Sequence, residues 1–189
     1  MTEATYERFQ QALGNIIIKW AVAEQHFRQL LAVVAGVAPI EGEIIFDRVS
    51  AINQRTILKL LAEERHSEGA QDDIDYCLRL HLVNSANRNL FAHGHIGFGT
   101  MGDQPPKASR VKLQIGKRPH NKMWEVSFDD VLRIADEIQE FDHYARYLAV
   151  KLPDDRAAPR QYVAGQYRPP VPTNHDTKGY DLDALLRDA

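Results

Sequence analysis

The chain has 189 residues, 44% hydrophobic and 26% charged, with a formal net charge of −3. That length suits one domain with a real core, and the mildly acidic balance argues against coating nucleic acid by bulk charge while leaving room for a local basic site. A single cysteine, Cys77, excludes a disulfide framework; the longest apolar run, Leu30 to Ile40, is too short to span a bilayer; and the acidic start (Glu3, Glu7) does not read as a signal peptide, so the expectation is a soluble cytoplasmic protein without membrane partners.

The first element reads as a long helix from about Glu3 to Gly36. Tyr6, Phe9, Leu13, Ile16, Ile17, Trp20, Phe27, Leu30, Leu31 and Val34 recur at three- and four-residue steps and form one apolar stripe. Glu24 breaks that stripe between Trp20 and Phe27, where a leucine is expected. A helical turn follows near Glu43 to Arg48. Ser50 then reads as the N-cap of a helix from Ala51 to about Arg65, with Ile52, Ile57, Leu58, Leu60 and Leu61 on its buried side.

The next helix is expected from about Asp72 to Ala92. Its first half is patterned by Ile74, Cys77, Leu78, Leu80 and Val83. The pattern then fails at Asn84, Ser85, Asn87, Arg88 and Asn89, which are polar and mostly weak helix formers, before Leu90, Phe91 and the stop at His93-Gly94. Beyond Gly94 the period becomes alternating. Ile96 and Phe98, then Val111, Leu113 and Ile115, then Trp124, Val126 and Phe128 predict a three-stranded antiparallel meander over about 94–128.

A last long helix is expected from about Asp129 to Leu152, opened by Ser127 with Asp130 three residues on, and buried along Val131, Ile134, Ile138, Phe141, Ala145 and Leu148. Five of the nine prolines lie from Pro153 onward. Residues 153–189 therefore read as an extended Pro-rich tail that belongs to no core, apart from a helical domain at 1–152.

The segment Asn87-Arg88-Asn89-Leu90-Phe91-Ala92-His93-Gly94 holds the strongest chemical signal, Arg-Asn-x-x-x-His at a helix end. With 15 Arg and 8 His in the chain, chance supplies about 0.6 Arg–His pairs at this spacing; requiring Asn after the Arg lowers this to about 0.02. Here the sequence resembles the HEPN family of helical ribonucleases and their relatives, in particular its single-domain bacterial members. The resemblance covers about residues 4–150: a long first helix with Trp20 and Glu24, a helix pair, the motif helix, a small sheet and a closing helix. It implies a mostly α, antiparallel bundle and metal-independent cleavage of RNA, without a cofactor, by a dimer that brings two motifs together.

The residues also support this chemistry on their own terms. On an ideal helix Asn89 and His93 share a face, whereas positions 88 and 93 stand about 140° apart. A second copy removes that difficulty. Cleavage by a neighbouring 2′-hydroxyl needs a base, an acid and a cation on the phosphate. His93 is the candidate general acid/base, Arg88 the phosphate binder, Asn89 the orienting group and Glu24 the residue that aligns them. The plain alternative is a polar helix end with Arg88 paired to Glu24.

A basic hairpin supplies Arg110, Lys112, Lys117, Arg118 and Lys122, with His120 and no acid; together with His95 these are the candidate RNA contacts. A charged edge strand that blocks sheet-to-sheet pairing explains the same charges. His93-x-His95 lacks a third metal ligand at a recognisable spacing, so no metal is expected. Cys77 reads as core packing. A non-catalytic dimer binding RNA, a nucleotide or a protein, and the toxin of a toxin–antitoxin pair with its antitoxin partner, fit the same residues.

Overall fold

The computed structural model describes residues 3–93, 95–97, 107–112, 120–125, 127–157 and 164–173, with side chains described at 6–92, 127–153 and 164–173. Its mass is helical. Helices α1 (Glu3–Ala35), α2 (Pro39–Phe46), α3 (Ala51–Arg65) and α4 (Glu68–His93) precede three short strands, and α5 (Phe128–Ala157) follows them. The strands β1 (His95–Gly97), β2 (Lys107–Lys112) and β3 (His120–Glu125) pair antiparallel in the order β1-β2-β3. No single helix among the described residues is long and apolar enough to cross a membrane.

The core lies where α1, α4 and α5 meet. Helix α1 buries Phe9, Ala12, Ile16, Trp20, Ala23, Phe27, Leu30 and Val34, an inward row at helical spacing, while Tyr6 and Ile17 from the expected stripe are exposed. Helix α5 buries every position of its expected stripe and adds Tyr144 and Leu152. A contact between His26 Nδ1 and Asp142 Oδ1 and an ion pair from Lys19 to Asp136 at 3.2 Å tie α1 to α5 outside the apolar seam.

The helix ends follow from local chemistry. Gly36, at φ +70°, closes α1: its N–H donates to the Val33 carbonyl and that of Val37 to Ala32, the paired bonds of a left-handed glycine cap. Ser50 Oγ accepts from Asn53 N and caps α3. At α5, Ser127 Oγ accepts from Asp130 N at 3.0 Å while Asp130 Oδ2 accepts from Ser127 N at 3.0 Å, a reciprocal capping box. Helix α4 starts at Glu68, four residues before its expected start, because Ser67 accepts from Ala70 and Gln71.

Helix α2 folds back on α1 at 109°. The close approach is made at Gly42, where an added Cβ would lie 2.3 Å from Ala32 Cβ. Gly42→Ala is expected to lower stability by about 1–3 kcal/mol through that overlap, more than the ~1 kcal/mol of helix propensity it adds. Thermal melts check this, and Ala32→Gly in the same chain should restore much of the loss.

Two expectations need correction. In α3, Ile52 and Leu60 are 63% and 59% exposed, while Gln54, Leu58 and Ala62 form the inward row. A polar residue faces in because Gln54 Nε2 donates to the carbonyls of Phe46 (2.8 Å) and Val49 (2.9 Å), satisfying the chain between α2 and α3. The boundary expected at residue 152 falls inside α5, which continues through Pro153 to Ala157. Leu152 is fully buried, and Pro153 forgoes only one hydrogen bond near the helix end.

Beyond α5, residues 164–173 lie along α4 and α5 as a strap. Arg168 Nε and Nη2 reach Asp73 Oδ1 at 2.7 and 2.6 Å, and Nη2 reaches Asp72 Oδ2 at 2.7 Å. Gly165 N donates to Asp73 Oδ2 at 3.0 Å, and Tyr144 Oη to Asp73 Oδ1 at 3.1 Å. Tyr76 Oη donates to the Pro169 carbonyl at 2.6 Å, Tyr167 Oη to Glu140 Oε2 at 2.9 Å, and Asn87 Nδ2 to the Thr173 carbonyl at 2.9 Å. The part of the tail that is described therefore belongs to the folded body.

Candidate functional site

The motif occupies the last turns of α4. Arg88 and Asn89 are half-buried, and His93 is the last residue of the helix, its side chain outside the described residues. Arg88 Nη1 donates to Asn89 Oδ1 at 2.8 Å. Arg88 Nε is buried and has no partner among the described residues, which leaves part of the guanidinium's donor set uncommitted there. An acceptor brought to this end of α4, such as a phosphate oxygen, would find a permanent cation already desolvated on one side.

Glu24 lies on α1 between Trp20 and Phe27 and is half-buried. Among the described residues no hydrogen bond or ion pair joins it to Arg88; its main-chain carbonyl accepts from Arg28 Nε at 3.5 Å. The contact expected to Arg88 is not made among the described residues, where the neighbouring amide of Asn89 holds the guanidinium; the one expected to His93 falls on a side chain outside them.

The polar residues that break the pattern of α4 divide into two groups. Asn84 and Asn87 are fully buried. Asn84 Nδ2 donates to the Leu80 carbonyl one turn back (3.0 Å), and Asn87 binds the strap at Thr173. These two are internal ties. Ser85, Arg88 and Asn89 are half-buried, and of these Arg88 and Asn89 belong to the motif.

One turn further into the core lies a residue that the sequence pattern conceals. His81 is 1% exposed and stacks on Phe27 with ring centroids 4.1 Å apart, with Trp20 at 5.3 Å and Phe141 at 5.6 Å. Neither ring nitrogen has a hydrogen-bond partner among the described residues. Burial, with a smaller contribution from the Arg55 charge, pushes its pKa down to about 3, so the imidazole is neutral at physiological pH. Its one visible signal is position: four residues after Cys77 and three after Leu78, on the apolar face. Cys77 is itself buried, and burial followed by the nearby Asp73 charge pushes its thiol pKa well up, as for an inert core residue.

The candidate RNA contacts are placed by backbone only. His95 is in β1, Arg110 and Lys112 in β2, and Lys122 in β3; Lys117 and Arg118 lie outside the described residues. The register sets Arg110 opposite Lys122 and Lys112 opposite His120, whereas His95 is opposite Ser109. Residues directly opposite share a face, and alternate residues share it too. Arg110, Lys112, Lys122 and His120 therefore fall on one face and His95 on the other.

Among the described residues no group of three or more His, Cys, Asp or Glu side chains is arranged to hold a metal ion. An open groove of about 470 Å³ between α1 and α2, lined by Ala21, Gln25, Arg28, Glu43, Ile44 and Asp47, contains neither Arg88 nor Asn89. Compared with family models, with curated proteins and with solved structures, the chain matches none of them.

Proposed function

We propose that this chain is a metal-independent endoribonuclease of HEPN type, acting on single-stranded RNA as a homodimer, and that its bundle with the small sheet inserted before α5 is a HEPN-like domain. The observation that carries the reading is the continuity of α4 through His93. Helical positions 88 and 93 then remain about 140° apart around the axis. Within one helix the two positions diverge, while two copies related by a two-fold axis bring a second His93 and a second Arg88 to a shared cleft. The cross-strand register adds support: it places Arg110, Lys112 and Lys122 on one face of the sheet, where basic positions suit a phosphate backbone.

In this reading one His93 takes the proton from the 2′-hydroxyl, which attacks the adjacent phosphorus. The second His93 protonates the departing 5′ oxygen. Arg88 holds the charge that builds on the phosphate oxygens, with Asn89 fixing the guanidinium. The products are a 2′,3′-cyclic phosphate and a 5′-hydroxyl.

The test is incubation of the pure protein with single-stranded RNA in excess chelator. Cleavage to those ends is expected, with a loss of about 10²–10⁴-fold in His93→Ala and no cleavage at a deoxyribose. Activity that survives His93→Ala would sink the assignment. Salt-dependent binding without turnover would identify the non-catalytic RNA-binding dimer instead.

A further inference from the structure

The strap is held in a way that says what its groove recognises. Pro169 and Pro172 are buried while Pro170 and Val171, between them, are exposed. Burial at every third residue in a proline-fixed backbone is the pattern of a polyproline II segment with one face down. The groove meets that face with Tyr76 and Asn87, whose side chains donate to the Pro169 and Thr173 carbonyls. Arg168, one residue before the first proline, enters the Asp72–Asp73 fork and lies 5.1 Å above the Tyr76 ring. An aromatic-lined groove, donors onto main-chain carbonyls and an acidic fork for a flanking arginine together make a peptide-recognition mode that does not depend on covalent attachment.

We propose that the groove between α4 and α5 is a recognition site for Arg-Pro-Pro-x-Pro segments, with residues 164–173 as its tethered occupant, and that a partner presenting a segment of this chemistry displaces the strap. The rim of the site is open: Tyr167, Pro170 and Val171 are exposed, and Asp72 keeps 70% of its side-chain surface. Segments held by polar and main-chain bonds at such a rim undock at lower free energy than the core unfolds. Tethering gives the strap an effective concentration on the order of 1 mM, which a partner has to exceed.

The experiment uses the full chain and a synthetic ten-residue peptide of the strap sequence, Ala164 to Thr173, with capped ends. Arg168→Ala in the protein weakens its own strap; Arg168→Lys keeps a charge beside Asp73 and serves if the first variant does not fold. The folded variant should bind the wild-type peptide by calorimetry, at least tenfold more tightly than wild-type protein does. A peptide carrying alanine in place of Arg168 should bind neither. Absence of binding to a folded variant, or equal binding of both peptides, overturns the proposal. So does cross-linking between an Asn87→Cys chain and a separate Thr173→Cys chain, which would show the groove filled by the strap of a second copy.

Discussion

Replacing Arg168 with alanine is expected to destabilise the protein more than any substitution on its surface, although Arg168 lies in a proline-rich tail. Asp73 is 2% exposed, and its carboxylate is held by the Arg168 guanidinium, the Gly165 amide and the Tyr144 hydroxyl. The arrangement is mutual. Arg168 has its pKa raised, first by the hydrogen bond to Asp72 and then by the hydrogen bond and charge of Asp73. Tyr144 is pushed well above the usual phenol range by burial and by the Asp73 charge.

Removing one partner of a buried pair costs ~3–5 kcal/mol when the surviving charge stays buried. Here the strap can lift and hydrate Asp73, so the free energy of undocking caps the loss. Urea midpoints measure the total, and hydrogen exchange at Gly165 reports the lifting directly. The double variant Arg168→Ala/Asp73→Asn should recover at least half of the loss, since the neutral amide no longer requires a cation. A double variant as unstable as Arg168→Ala alone would mean that the guanidinium acts through packing over Tyr76.

The contrast between this strap and the five helices marks what the sequence could convey. Helices are legible because their burial repeats locally: the α5 stripe from Val131 to Leu148 is buried as its spacing requires, and Ser50, Ser127 and Gly36 cap as their chemistry predicts. Asp73 and Arg168 are 95 residues apart and each looks like an ordinary surface charge in its own neighbourhood. Nothing periodic links them. Gln54 faces inward for the same reason, because its partners are two carbonyls outside its helix.

The candidate site follows the same division. Arg88, Asn89 and His93 are found as a string because the motif is local, and α4 does carry all three. Support of Arg88 by Glu24 depends on which of several acceptors a long guanidinium chooses, and Asn89 takes Nη1; support of His93 rests on a side chain outside the described residues. Composition at the site was equally ambiguous. Asn84 and Asn87 sit in the same polar run as Arg88, yet they serve the helix backbone and the strap.

His81 carries the second large prediction, and it concerns acid. In the folded chain its pKa is about 3, against about 6.5 in the unfolded chain. Below pH 6.5 the unfolded state therefore binds a proton that the folded state refuses. The sign follows: this contribution to stability is fully present above pH 6.5, is lost as pH falls, and levels off only near pH 3. The slope is up to about 1.4 kcal/mol per pH unit for one such group, so a step from pH 7 to pH 5 should cost about 2 kcal/mol from His81 alone. His81→Leu removes both the titration and two buried ring nitrogens that lack partners, at similar volume. The variant should be at least as stable as wild type at pH 7, by up to ~1–3 kcal/mol, and should lose about 2 kcal/mol less on acidification. Urea midpoints at the two pH values decide it. Equal acid sensitivity in wild type and variant would show that a proton reaches the imidazole in the folded state, which requires a polar partner or water among Trp20, Phe27 and Phe141.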